Sequence, residues 1–360
     1  MSKDKRVNIV IFGVGNVGGT LIRQIHNAGV KFRNHQQVDI KIVALANSSS
    51  LYCDHRGIGE TWRSDFEALS QEYQLTDIIN FIMEYQLDNL IAIDATASEG
   101  FVESYPVLIQ NGFNIVAANK VANTLSTEFY ETLRAELKKY NKQFLYETNV
   151  GAGLPVIQTL QDFEKSGERV EKIRGVFSGS LSYIFNSYSE SSLEFDQVLL
   201  EAQQKGLTEP DPRIDLSGKD VGRKLLILAR ELRLIKELSD IEIEDLVPSH
   251  LNGNTTLEDF RRNEKDLNAG FEKLRSQLGK DEVIRHIGEL DVKEGSLRVR
   301  LVKEKKSTAL GSLKNADSSF EFYTESYGEN PVVIQGAGAG AEVTARGVLT
   351  DIIKISNNLN

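Results

Sequence analysis

The single cysteine in 360 residues, Cys53, leaves no intrachain disulfide to form, which fits a reducing compartment. Its polar setting between Leu51 and Gly57 makes it an incidental loop thiol. No apolar run approaches the roughly 18 residues of a membrane span. The start passes from charged residues into a short apolar run without the cleavage pattern of a signal peptide, so the expected location is cytoplasmic, with no membrane partner. Basic residues are in the minority, 42 against 52 acidic ones, for a formal net charge of -10. Nucleic acid and anionic membranes therefore suit the molecule poorly as partners, and a small anionic ligand needs a local positive site. The five histidines, His26, His35, His55, His250 and His286, are scattered, with no pair at metal-ligand spacing, so none reads as a zinc site. Internal repeats and low-complexity tracts are absent.

What is present is the composition of an ordinary globular enzyme, 40% hydrophobic and 26% charged, at a length that favours two joined domains. The first half alternates short apolar runs with helical patterns, which reads as a doubly wound parallel sheet of Rossmann type. Strands are predicted at 7–12, 40–46, 90–94, 114–117 and 143–146, with helices at 16–28, 77–85, 100–110 and 126–140 between them. After about Pro155 the alternation stops. A strand near 172–177, helices through Leu234, a charged helical stretch over 256–278 and strands at 282–290 and 297–303 suggest an α+β second domain. A last run, 332–335, leads through Gly336, Gly338 and Gly340 into a helix from about Glu342 to Ser356. Too short to fold alone, it is expected to return to the first sheet. The expected division is 1–155, 156–328 and a returning segment 329–360.

Gly13-Val-Gly15-Asn-Val-Gly18 follows the first predicted strand and opens a helix, the setting of the dinucleotide fingerprint. Gly13 permits the tight turn, Gly15 the approach of a pyrophosphate, and Gly18 close helix packing, while the helix N-terminus favours an anion. Asn16 and Val17 join these glycines as cofactor candidates. The second strand ends in Asn47 and three serines, without the carboxylate that binds a ribose diol in NAD-preferring folds. Thr96 and Ser98, after Asp94, and Lys120, after Asn119, follow later strand ends, where open parallel sheets bind ligands. From position alone Lys120 is as readily an ordinary exposed lysine.

The richest stretch runs from Gly206 to Lys224. Two prolines stiffen a loop that holds Glu209, Asp211 and Asp215, Ser217 offers an N-cap with Asp220 at capping-box distance, and Asp220 and Lys224 share a helix face four residues apart. One reading is a capped helix with a surface ion pair. The other is a polar pocket, with carboxylates for a substrate ammonium and a lysine near the reacting oxygen.

With these motifs, with Glu147-Thr-Asn-Val150-Gly151-Ala152-Gly153-Leu154-Pro155 and with Phe177-Ser-Gly-Ser-Leu-Ser-Tyr-Ile-Phe185, the chain resembles the homoserine dehydrogenase family along nearly its whole length. The likeness is strongest to the dehydrogenase half of fused aspartokinase–homoserine dehydrogenases. The resemblance implies an NADP- or NAD-dependent oxidoreductase that interconverts L-homoserine and L-aspartate 4-semialdehyde in the biosynthesis of threonine, methionine and isoleucine. It implies a catalytic Lys224 with Asp220, and Lys120 where cofactor and substrate meet. It further implies substrate contacts from Gly206, Glu209, Asp215 and Asp220, and a cofactor contact at Gly338 in the return. A structural monovalent cation, usually sodium, is implied on main-chain oxygens of Glu147, Val150, Ala152 and Leu154, and a homodimer through the second domain's sheet. The chain departs from the family at Ala97 and Val121. No aspartokinase half is expected before Met1 and no regulatory domain after Asn360. Because the second strand ends without a carboxylate, NADP is expected over NAD. The competing readings are an acylating semialdehyde dehydrogenase, which Cys53 is poorly placed to serve, and a nucleotide sensor without turnover.

Overall fold

The computed structural model describes residues 4–253 and 255–359, in two compact units. One comprises the chain up to Gly153 with the segment from Gly340 on, the other Leu154–Ala339.

The first unit carries β1 (Lys5–Phe12), α1 (Asn16–Gln36), β2 (Val38–Ala46), β3 (Ser50–Cys53), α2 (Trp62–Leu69), β4 (Gln71–Glu72), α3 (Leu75–Glu84), β5 (Leu90–Asp94), α4 (Tyr105–Gln110), β6 (Asn114–Ala117), α5 (Thr127–Lys139) and β7 (Phe144–Leu145). Its sheet runs β4-β3-β2-β1-β5-β6-β7, parallel from β2 through β7, with β3 and β4 as an antiparallel edge. Val7, Ile9, Val10 and Ile11 of β1 are all fully buried, because helices cover both faces of a central parallel strand. The helix α1 runs past the predicted end at Ala28. Gly29, in the middle of the helix, costs it only about 1 kcal/mol, and Phe32 beyond it packs on the core.

The second unit carries α6 (Val156–Ser166), β8 (Val170–Val176), α7 (Gly179–Glu190), α8 (Phe195–Gln204), α9 (Arg213–Leu216), α10 (Lys219–Glu231), β9 (Ile241–Ile243), α11 (Leu257–Arg262), α12 (Asp266–Arg275), β10 (Glu282–Asp291), β11 (Ser296–Lys305), β12 (Asp317–Thr324) and β13 (Val332–Ala337). They form a sheet in the order β13-β12-β8-β10-β11-β9, with α7 and α10 packed on β10. Arg174 of β8 lies between Glu289 at 3.3 Å, Glu321 at 3.6 Å and Glu304.

Here the expectation for the C-terminal segment needs correction. The strand predicted to rejoin the first sheet, β13, pairs antiparallel with β12 in the second, from Val332 opposite Phe322 to Ala337 opposite Asp317. Only α13 (Ala341–Asn358) rejoins the first unit, where Ala345, Val348, Leu349, Ile352 and Ile355 share a core with Ile9, Ile11, Leu21 and Ile22. Among the described residues no helix is long and apolar enough to cross a membrane.

Candidate active site

In the first unit the three fingerprint glycines have separate physical reasons. Gly13 turns the chain at φ +95°, and a Cβ there would lie 2.7 Å from the Ala95 carbonyl oxygen. Gly15 faces open space, and a Cβ on Gly18 would lie 1.9 Å from the Gly13 oxygen. No side chain caps α1, and its first turn holds no acid, so its amide groups present uncompensated positive charge. A cavity of about 650 Å³ opens beside this turn, with Gly15, Asn16, Gly19 and Arg23 on one side and Trp62 and Arg63 on the other. The loop after β3 folds back across α1, tied by the Ile58 carbonyl 3.1 Å from His26 Nε2. It leads into α2, whose Arg63 lies over the Trp62 ring at 5.1 Å. The turn fits a dinucleotide pyrophosphate: small side chains, uncapped amides and free volume beside it.

The other strand ends are organised by hydrogen bonds. The Asn47 side-chain oxygen accepts from the Ser49 and Ser50 amides at 2.9 and 2.7 Å, closing the turn after β2. At the end of β5, buried Asp94 accepts from the Thr96 amide at 2.8 Å, the Tyr105 hydroxyl at 2.7 Å and Asn119 Nδ2 at 3.0 Å. Asn119 Nδ2 also donates to the Ser98 carbonyl at 2.9 Å. One carboxylate thus fixes Thr96, Ser98 and the Asn119–Lys120 turn at neighbouring strand ends. Burial pushes its own pKa up, against the pull of these donors. Sequence reasoning saw Asp94 only as the end of a strand, because its partners are distant in the chain.

Beyond β7, the Glu147 amide donates to Asp351 Oδ2 at 2.9 Å, and Lys354 pairs with Glu147 at 3.4 Å and Asp351 at 3.2 Å, fastening this turn to α13. Gly151 and Ala152 are successive left-handed residues at φ +79° and +52°. Among the described residues no three His, Cys, Asp or Glu side chains gather as metal ligands, so a cation here would rely on main-chain oxygens. Cys53 lies in β3, where burial pushes its thiol up to about 12, far from nucleophilic character.

In the second unit Lys224 of α10 is mostly buried. Its Nζ lies 2.8 Å from Asp220 Oδ2, one turn earlier, and donates to the Phe177 carbonyl at 2.8 Å. Asp215 accepts from Ser180 Oγ at 2.6 Å and from the Glu209 amide at 2.8 Å, which joins the loop to the first turn of α7. The expected capping box does not form. The helix starts on Gly218 in the left-handed region, φ +66°, without a side-chain cap, and Ser217 Oγ accepts from the Lys219 amide at 3.3 Å. A tight approach explains it: a Cβ on Gly218 would meet Ile243, Val299 and His286 at 3.1 to 3.4 Å. Asp211 holds Arg213, which also donates to Thr255 Oγ1 at 2.9 Å. Gly206 (φ +67°) and Glu209 are exposed on the same loop. Gly338, expected at the cofactor, follows β13 in this unit, and a Cβ there would clash with Ser318 Oγ at 2.0 Å, so packing alone requires glycine. The serines 178 and 180 and the Phe177 carbonyl escaped the sequence reading. Backbone acceptors leave no side-chain signature, and serines in a helix start read first as caps.

Two family models match the chain, the homoserine dehydrogenase NAD-binding domain over residues 13–147 and homoserine dehydrogenase over residues 155–353. The bifunctional aspartokinase/homoserine dehydrogenase of Haemophilus influenzae is 37% identical over 97% of the chain, and the match spans 43% of that relative, under half its length. Homoserine dehydrogenase of Schizosaccharomyces pombe is 34% identical over 98% of the chain and 96% of its own length. A crystal structure of a Candida auris protein of unknown function superposes with a TM-score of 0.88 at 33% identity, covering 98% of both chains. With both units matched and a relative aligned over almost its full length, the chain belongs to the homoserine dehydrogenase family.

Proposed function

We propose that the chain interconverts L-homoserine and L-aspartate 4-semialdehyde with a nicotinamide cofactor, NADP in preference to NAD. The observation that carries this is Lys224 Nζ at 2.8 Å from both the Asp220 carboxylate and the Phe177 carbonyl. Two oxygens aim the ammonium without sealing it, since Asp220 remains half exposed at 47%. When bound, the nicotinamide supplies hydride to the aldehyde carbon or takes it from the alcohol carbon. Lys224 donates a proton to the carbonyl oxygen as it becomes an alkoxide, and in oxidation its neutral amine accepts the hydroxyl proton. Asp220 positions it, while Glu209 and Asp215 receive the substrate ammonium beside Gly206. In the first unit, Gly13, Gly15, Asn16, Val17 and Gly18 would hold the cofactor's pyrophosphate, Asn47, Thr96 and Ser98 would contact the rest of it, and Lys120 would serve the reacting end. The test is the absorbance of reduced nicotinamide when the purified protein meets L-homoserine and either oxidised cofactor. Silence with both overturns the reading.

The cofactor preference has support beyond the missing carboxylate, because the fold-back of the loop after β3 puts Arg63 on the cavity at the start of α1. A guanidinium there suits a ribose phosphate. Arg56, in contrast, is engaged by Asp54 at 3.3 Å. The same reading includes sodium on main-chain oxygens of Glu147, Val150, Ala152 and Leu154, supported by the left-handed pair Gly151–Ala152. Replacing sodium with choline should lower the thermal midpoint. It also includes a homodimer through the second unit's sheet, checked by light scattering, and a cytoplasmic location.

A further inference from the structure

The substrate proposed above is an α-amino acid, so it brings a carboxylate as well as an ammonium. The stretch that meets it is rich in acid: Glu209, Asp215 of α9 and Asp220 of α10 would repel that carboxylate unless a cation stands close by. Lys224 is assigned to the reacting oxygen. Arg213 is committed to Asp211, at 2.6 and 2.9 Å, and to Thr255.

Lys205, which adjoins Gly206, is a candidate that three observations place. It caps the C-terminus of α8, directly before Gly206, whose amide donates to the Gln203 carbonyl at 2.9 Å. Its ammonium donates to the hydroxyl of Tyr183 and lies 4.6 Å from the centre of that ring, so a long exposed side chain is held to one place. Tyr183, only 9% exposed, stands three residues after Ser180 on α7, and Ser180 holds Asp215 at 2.6 Å. Residues three apart on a helix have Cβ atoms about 5–6 Å apart. Neighbouring positions of one helix therefore hold the carboxylate proposed for the ammonium and a lysine of opposite charge. The Tyr183 hydrogen bond also raises the Lys205 pKa.

We propose that Lys205, positioned by Tyr183, binds the α-carboxylate of the substrate and makes the site select amino acids over simple alcohols and aldehydes. This rests on the homoserine reading, and the experiment separates the two. Steady-state kinetics of Lys205→Met should show KM for L-homoserine raised roughly 10- to 100-fold, the scale of a charged hydrogen bond, with kcat nearly unchanged. Lys205→Arg should recover most of the affinity, and Tyr183→Phe should raise KM by a smaller factor. The probe 2-amino-1,4-butanediol keeps the ammonium and the oxidisable alcohol but has no carboxylate. As substrate or competitive inhibitor it should not distinguish Lys205→Met from wild type. An unchanged KM for L-homoserine in Lys205→Met, or an equal loss on the diol, overturns the proposal. Absence of homoserine turnover in the wild-type protein overturns the parent reading instead.

Discussion

Lys224 and Asp220 are legible in the sequence because a helix places residues four apart on one face, and the structure brings them to 2.8 Å. The Phe177 carbonyl that completes the lysine's setting is not legible, since any residue type could present it. Lys224→Ala should cut turnover by roughly 10²-fold or more, the usual scale for a general acid, while nucleotide affinity measured by fluorescence stays near wild type. Near-normal turnover would move the proton transfer to Lys120 or to water. His286 makes a different prediction. Its ring is buried beneath the Gly218 turn among Phe185, Ile243 and Val299, with no hydrogen-bond partner on either nitrogen among the described residues. Burial pushes its pKa down to about 4, against about 6.5 in an unfolded chain. The unfolded chain thus binds the extra proton first. The stability tied to neutral His286 is full above about pH 6.5 and falls as the pH drops towards 4, by ~3 kcal/mol at most. His286→Phe should lose less stability than wild type between pH 7 and pH 5 in urea titrations. Equal losses would mean that the ring finds a proton acceptor when charged.

At the scale of elements, β1, β2, β5 and β6 announce themselves as continuous apolar runs because both of their faces are covered. The edge strands β3 and β4, four and two residues long, carry no comparable pattern and are missed. Strand β13 reads as a strand, but its alternation of half-buried and exposed residues is compatible with either sheet, and only its pairing with β12 decides. The loop after β3 is likewise invisible as a functional element, because its value lies in where it folds. With saturating homoserine, kcat/KM should favour NADP modestly over NAD. Arg63→Ala should shrink that preference by lowering the NADP value about tenfold, the scale of one lost charged hydrogen bond, and leave the NAD value nearly unchanged. A wild-type preference for NAD, or equal effects of Arg63→Ala on both cofactors, would contradict the role given to this loop.

For the whole molecule the governing feature is that the first unit is discontinuous in the chain. Ile352 of α13 is fully buried in a core otherwise made by β1, α1 and their neighbours. Ile352→Ala should therefore cost about 2–5 kcal/mol through the cavity it leaves, lowering both the melting temperature and nucleotide affinity. A melting temperature within about a degree of wild type would show that α13 is dispensable to that core. The order of synthesis gives the same feature a biological edge. A ribosome making this chain finishes β1 through β7 long before α13, with all of Leu154–Ala339 emerging in between. Throughout that interval the early segment displays the apolar surface that Val348, Leu349, Ile352 and Ile355 will later cover, an adhesive state of the kind that chaperones shield. Messages truncated before Gly340 would leave that surface permanently open, so a cell would meet shortened copies of this protein as aggregates.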